Sequence, residues 1–222
     1  MSVPAKSKPT KRFRRRPEAR PEELLDSALT VFGERGFRAT TLEEVARHAG
    51  VSKGTVYLYF ASKDDLFRAM VERNVGGLLE LAETRAREHT GTATELLELM
   101  IRNMWNAMSQ PRMVCMTRLV QSELPQFPEL QRYYWDNVIQ RHRRLLRSIV
   151  ERGIANKEFR AEALTIVPRM VPSLIVHLNH VRVLFEGLDP EGPTPEEQVE
   201  LILSLVFDGI RTRPVTPGAR KK

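Results

Sequence analysis

The chain has one cysteine, Cys115, so it can form neither an intramolecular disulfide nor a cysteine-based zinc site, and a reducing cytoplasm is its natural setting. No cluster of Lys, Arg or His immediately around this thiol promises a depressed pKa, which points to a buried structural residue rather than a redox sensor. Apolar runs such as residues 174–176 and 201–203 are broken by polar residues long before the roughly 18 positions that a membrane span requires. The basic N-terminus has no apolar segment behind it and is no secretory signal. Period-two alternation nowhere runs far, which excludes a sheet protein and leaves an all-α class. A Gly-rich phosphate loop, a carboxylate/histidine metal cluster and a nucleophilic Ser or Cys setting are all missing, so a helical enzyme fails for lack of parts and no cofactor is expected.

What is present is basic charge in one place. Of 35 basic and 28 acidic residues, residues 1–20 hold eight and one, leaving 27 of each in the rest of the chain, so this arm carries the whole net charge of +7. With Pro4, Pro9 and Pro17 among the charges and Phe13 as its only large apolar residue, the arm cannot bury enough surface to fold alone. It reads either as a solubilising tail or as a disordered segment in which Arg14, Arg15 and Arg16 add counterion-release affinity for DNA.

Residues 41–63, TLEEVARHAGVSKGTVYLYFASK, are the most informative stretch. Thr41 followed by Glu44 is a capping box, and Leu42, Val45, Ala46 and Ala49 fall at helical spacing. Gly50 permits a left-handed helix stop, Val51 anchors the turn and Ser52 caps the next helix. That second helix offers Ser52, Lys53, Gly54, Thr55, Tyr57 and Tyr59 to solvent, while Val56 and Phe60 form its buried edge. Hydroxyls, an ammonium group and a helix N-terminus are groups that hold phosphates, and tyrosine can bond a phosphate or pack on a thymine methyl. Lys63, behind the cap candidate Ser62, is placed to add a point charge on a phosphate. On turn chemistry alone a surface helix pair of some other all-α protein remains open.

TTLEEVARHAGVSKGTVYLYFASKDDLF, preceded by LLDSALTVFGERGF, resembles the N-terminal domain of the TetR family of bacterial transcriptional regulators over residues 21–67. The resemblance implies a three-helix DNA-binding domain, a helical ligand-binding and dimerisation domain, and release of DNA on ligand binding. Together with the composition it gives a domain order of basic arm (1–20), helix-turn-helix domain (21–67), ligand-binding and dimerisation domain (68–213) and basic tail (214–222).

Residues 21–36 begin with Pro and two Glu and end in Gly, giving a first helix buried through Leu24, Leu25, Ala28, Val31 and Phe32. Residues 63–89 read as one long helix with Gly76 and Gly77 at its middle, where two glycines cost roughly 1 kcal/mol each relative to alanine. Close packing or a soft point between two domains would each justify them. In residues 94–108 Met100, Met104 and Met108 form a stripe beside Trp105, and Met113 and Met116 follow. Such a stripe is plain core or a wall that reshapes around an apolar ligand. A long helix over 128–153 carries Leu130, Tyr134, Val138, Leu145 and Ile149 on one face and arginines on its wet side.

Residues 161–186 are apolar around well over half the helix, with Pro168 and Pro172 predicting a kink or a broken first turn. His177 and His180 share a face, but with no cysteine or carboxylate cluster nearby they read as polar contacts rather than a metal site. The last helix, 195–213, has acidic residues in its first turn and Arg211 and Arg213 in its last. Two successive helices apolar on both sides are what a subunit interface requires, and Leu174, Leu178, Val181, Leu201, Leu205, Val206 and Ile210 are the candidates.

The combined reading is a cytoplasmic homodimer that binds double-stranded DNA at an inverted repeat and is released by a small lipophilic effector. The effector candidates are Met100, Met104, Trp105, Met108, Met116, Tyr134, Met170 and His177. The competing reading is a DNA-binding protein of the same kind that answers to a protein partner or to no effector. An apolar cavity of several hundred Å³ would favour the first and a filled, dry core the second.

Overall fold

The computed structural model describes residues 20–212. Among these the chain is all-α, and its one β-type pairing is an isolated bridge between Phe159 and Arg211. Helix α1 spans Arg20–Arg35 and stops at Gly36, whose φ of +82° is the left-handed conformation that glycine adopts without strain. Helix α2, Leu42–His48, opens with the full Thr41/Glu44 capping box. It closes through Gly50 at φ +66° and a Val51 amide that donates to the Ala46 carbonyl at 3.0 Å. Helix α3, Lys53–Tyr59, is capped by Ser52, and α4, Lys63–Val71, by Ser62.

The predicted long fourth helix is continuous but not uniform. A π turn, Glu72–Gly76, separates α4 from α5, Gly77–Glu88, so the glycine pair falls where the helix widens. The Asn74 side chain donates back to the Met70 carbonyl at 2.7 Å, a local bond that competes with the regular helical ladder. The same device recurs later in the chain. Helix α8, Pro128–Tyr134, passes into a π turn, Trp135–Ile139, and then α9, Gln140–Ala155, while Asn137 donates to the Tyr133 carbonyl at 2.9 Å. The two π turns pack against each other.

Between them lie α6, Ala93–Met108, and α7, Pro111–Glu123. Helix α6 has its own Thr92/Glu95 capping box, and the Glu158 carboxylate accepts from its first amides, Ala93 N at 3.0 Å and Thr94 N at 2.8 Å. Helices α10, Ala163–Leu184, and α11, Pro195–Ile210, complete the fold. Pro168 and Pro172 lie inside the continuous helix α10, so of the expected kink or broken first turn the break is not found. The helix starts only at Ala163 and runs through both prolines, leaving the Leu164 and Pro168 carbonyls without their usual helical donors.

The packing falls into two cores. The first joins α1–α4, Val75 and Leu79 to Met113, Met116, Leu119, Leu124, Leu130 and Val138, so the small N-terminal domain shares its interior with α7 and α8. The second is built from α6, α9, α10 and α11. Phe37, 1% exposed, is the hub of the first. Its ring meets Phe32, Phe67 and Phe127 edge-on at centroid distances of 5.1, 5.4 and 4.9 Å, which ties α1 and α4 to the connection between α7 and α8.

The interface candidates divide. Leu201 and Leu205 are 61% and 66% exposed and Val181 is exposed, with Leu184 and Phe185 beside them in the chain. Leu174 and Leu178 are half-buried against the second core. Val206 and Ile210 correct the sequence reading: they are buried at 6% and 0% exposure in the core of their own chain, because α11 turns that face to α6 and α10.

Removing the hub ring leaves a cavity on three sides, so Phe37→Ala should lower the unfolding free energy by about 3–5 kcal/mol in a urea titration. A loss below about 1 kcal/mol would show that the aromatic junction is not what joins the two parts of this core.

Candidate nucleic-acid interface and effector cavity

Helix α3 is held against α2 by Val56, fully buried, and by the Ser52 cap, whose oxygen accepts from Thr55 N at 3.2 Å. This leaves Ser52, Lys53, Gly54 and Tyr57 on the outer side and Thr55 half-buried. Glu43 of α2 organises that surface. It pairs with Lys53, whose ammonium also lies 5.5 Å from the Tyr57 ring centroid, and it accepts from the Tyr57 hydroxyl at 3.2 Å. The Lys53 hydrogen bond holds the Glu43 carboxyl below the usual range, and Glu43 in turn raises the Lys53 pKa. Leu58, 78% exposed, joins the outer surface. The sequence reading passed over it, although its place midway between Val56 and Phe60 puts it on the opposite side of the helix.

Other candidates are placed differently. Thr41 is exposed, but its hydroxyl is occupied by the α2 cap. Tyr59 is half-buried and packs against the first core rather than facing outward. Lys63 is a correction. Its ammonium donates to the carbonyls of Phe37 at 2.6 Å, Thr40 at 2.9 Å and Arg38 at 3.2 Å and lies over the Phe37 ring, so it caps the connection between α1 and α2. Burial pulls its pKa below the usual lysine value. Arg14, Arg15 and Arg16 lie outside the described residues, as do Arg213 and the basic tail.

A cavity of about 580 Å³ opens among α5–α10. Met100, Met104, Met108 and Tyr134 line it, with Met113, Leu79, Val75 and Val138. Four candidates do not line it. Trp105 and Met116 are buried at 3% and 0% exposure inside the second and first cores, whereas Met170 and His177 project from the outer side of α10. Pro168 and Pro172 line the cavity, as the reading of one cavity system that includes these prolines expects, and the wall residues that the sequence reading passed over include Asn103 and His142. Burial pushes the Tyr134 pKa up to about 12 and that of His142 down to about 4. Among the described residues no Asp or Glu lines the cavity, while Arg85, Arg143 and Arg169 do.

Cys115 is half-buried with its thiol directed at the Leu29 carbonyl, and burial raises its pKa. Among the described residues no group of three or more His, Cys, Asp or Glu could hold a metal ion, and no helix is long and apolar enough to cross a membrane.

Two family models cover this architecture. The model for bacterial regulatory proteins of the tetR family matches residues 24–70, and that for the tetracyclin repressor-like C-terminal domain matches residues 87–206. The chain belongs to the TetR family. It is therefore a helix-turn-helix transcriptional regulator and not an enzyme.

The fatty acid metabolism regulator protein of Bacillus subtilis is 27% identical to this TetR-family chain over 138 residues, 62% of this chain and 70% of that protein. The transcriptional repressor KstR2 of Mycolicibacterium smegmatis is 27% identical over 200 residues, 87% and 92% of the two chains. The crystal structure of the regulator FadR from Bacillus subtilis in complex with stearoyl-CoA superposes with a TM-score of 0.70 at 23% identity, over 86% of this chain and 99% of that one. NalD, the secondary repressor of the MexAB-OprM multidrug efflux pump in Pseudomonas aeruginosa, gives 0.70 at 23% identity, over 87% and 98%. At these identities the structural likeness speaks for the fold.

The geometry separates two classes of variant. Lys63→Met removes charge-assisted bonds to three carbonyls and should cost about 1.5–3 kcal/mol of stability in DNA-free protein. Tyr57→Ala should leave the melting temperature within about 2 °C, since exposed substitutions stay within about 0.5 kcal/mol. Equal melting of Lys63→Met and the parent protein would return Lys63 to the DNA-contacting set.

His142 gives a pH signature. Its folded-state pKa of about 4 lies below the ordinary 6.5, so between these values the unfolded chain takes up a proton that the folded chain does not. Its contribution to stability is complete above pH 6.5 and is lost as pH falls toward 4, by up to roughly 3 kcal/mol. Urea titrations across this window should show a steeper acid loss for the parent protein than for His142→Leu, and identical slopes would contradict the assignment.

Proposed function

We propose that this chain is a cytoplasmic homodimeric repressor that binds an inverted-repeat operator and leaves it when an amphipathic, lipophilic effector fills the cavity. The observation that carries the reading is that cavity wall and DNA-reading domain are one packed body. Val75, Leu79, Met113 and Val138 line the cavity and belong to the core that also holds α1–α4. The 580 Å³ of open space supports a small-molecule effector over control by a protein partner.

The lining favours an apolar body with an anionic end. Apart from its polar spots the wall is methionine, aliphatic side chains and two prolines, and among the described residues its only charges are three arginines, of which Arg85 and Arg169 are exposed. A long-chain acyl thioester has this character, and a FadR relative was crystallised with stearoyl-CoA. Such a ligand would press on α5, whose continuation through the π turn and α4 packs on α1.

Dimerisation follows from the reading of a short site. One helix of seven residues, Lys53–Tyr59, contacts few base pairs, so two copies related by a two-fold, with recognition helices about 34 Å apart or modestly more, supply the specificity. The exposed apolar residues Leu184, Leu201 and Leu205 are the natural contact between copies. The arm, carrying arginines 14 to 16, adds sequence-independent phosphate contacts.

The test uses an operator selected by the purified protein from random-sequence DNA, labelled for fluorescence anisotropy. Stearoyl-CoA should weaken operator binding 5- to 150-fold, the usual scale of allosteric coupling, and operator DNA should weaken stearoyl-CoA binding by the same factor. Stearoyl-CoA that binds the free and the DNA-bound protein equally well would overturn the induction mechanism.

A further inference from the structure

Cations are scarce on the DNA-reading domain. Residues 21–67 hold five Lys and Arg against eight Asp and Glu, a net charge of −3 with His neutral. Three of the five cations are engaged within the protein: Arg35 pairs with Glu44 at 2.7 Å, Lys63 donates to three carbonyls, and Lys53 pairs with Glu43. A domain of this charge gains little from phosphates in general, so the state of Lys53, the only charged residue of α3, counts for most.

Glu43 governs more than that one charge. The carboxylate oxygen that meets Lys53 also accepts from the Tyr57 hydroxyl at 3.2 Å, and the Lys53 ammonium lies 5.5 Å from the Tyr57 ring centroid. The three side chains therefore close on one another between α2 and α3. Two other hydroxyls of the face are turned on each other, Ser52 Oγ and Thr55 Oγ1 lying 2.8 Å apart. Glu43 is half-buried and Lys53 and Tyr57 are exposed, so a docked duplex can compete for each of the three.

A phosphate and a base edge meet this cluster differently. Phosphate oxygens only accept hydrogen bonds, so while the Tyr57 proton is on Glu43 and the Lys53 charge is balanced, the cluster offers a phosphate little. The major groove also carries donors, the amino groups of cytosine and adenine, from which a carboxylate can accept. Only a seat that supplies such a donor compensates Glu43 for giving up two partners, which then turn to the DNA.

We propose that Glu43 is a specificity-determining residue of the DNA interface, which withholds Lys53 and Tyr57 from phosphates met at random and releases them where α3 seats closely in the major groove. The carboxylate thus weakens sequence-independent binding more than it weakens binding to the operator. Only the operator arm of the test below rests on the operator reading above.

The full-length protein is compared with Glu43→Gln, Lys53→Met and the double variant by fluorescence anisotropy, on a labelled random-sequence duplex and on an operator selected by the parent protein, between about 50 and 200 mM salt. Glu43→Gln should bind random DNA about 2- to 5-fold more tightly, steepen its salt slope by about 0.9 for each head bound, and lower the preference for operator over random DNA. Lys53→Met should flatten the random-DNA slope by about 0.9 per head more in the Glu43→Gln background than beside an intact Glu43. A purely structural contact would not produce that coupling. A melting temperature of Glu43→Gln within about 2 °C of the parent shows that the fold is unchanged.

An unaltered random-DNA slope in Glu43→Gln, or a Lys53→Met effect of the same size in both backgrounds, overturns the proposal. Equal weakening of random and operator DNA by Glu43→Gln marks a contact that only holds α2 on α3, and overturns it as well. If selection yields no operator, the operator reading fails, and the random-DNA slopes still decide the role of Glu43.

Discussion

The structure depends on one continuous apolar interior that begins under the DNA-reading helices and ends at the cavity. A three-helix domain of this size buries too little surface to stand securely alone. Here α1 and α4 borrow Met116, Leu119, Leu124 and Leu130 from α7 and α8, and Phe37 and Phe127 close the junction edge to face. Polar contacts lock the same junction. Glu123 accepts from the Arg38 amide at 3.1 Å, Tyr133 donates to the Arg68 carbonyl at 3.4 Å, and Lys63 gathers three carbonyls of the connection between α1 and α2. Movement of α7 or α8 is therefore felt by α1, on which α2 packs with α3 against it.

The paired π turns lie where that interior meets the cavity. Both have asparagine followed by valine, Asn74–Val75 and Asn137–Val138. In each the asparagine bonds to the carbonyl four residues back, and the valine reaches both the first core and the cavity wall. A π turn is a rare departure from the α ladder and is frequent at functional sites. Two of them in contact give the cavity floor a geometry that regular helices would not produce, and Tyr134 and His142, on either side of the second, both line the cavity.

Local signals carried the N-terminal third. The capping box at Thr41, the glycine stop at Gly50, the Ser52 and Ser62 caps and the buried spacing of α1 are short-range chemistry, and each appears within a residue of its expected place. Lys63 misled because a lysine beside a recognition helix looks the same in sequence whether it reaches phosphates or backbone carbonyls. In the C-terminal part the methionine stripe identified one cavity wall, but a nearly all-apolar helix has no periodicity to say which side meets ligand, partner or core. Val206 and Ile210 were misassigned for that reason, Trp105 and Met116 because nearness to the methionine stripe in sequence does not tell cavity wall from core, and Met170 and His177 because α10 turns that side outward. His142, flanked by arginines in a helix read as wet on that side, gave no sign of facing a cavity, since its place there depends on a π turn that propensity does not reveal.

The central claim is that filling the cavity moves the DNA-reading helices through the shared core. It is tested most directly by the distance between two spin labels in the dimer, one on each copy at the exposed end of α2, His48→Cys in a Cys115→Ser background, measured by electron–electron resonance with and without stearoyl-CoA. The account predicts a shift of several ångströms in the mean label separation when the cavity fills. It also predicts no such shift in a variant whose cavity is blocked by Ala107→Trp, which lies on the cavity wall. A distance distribution unchanged by bound ligand would contradict it.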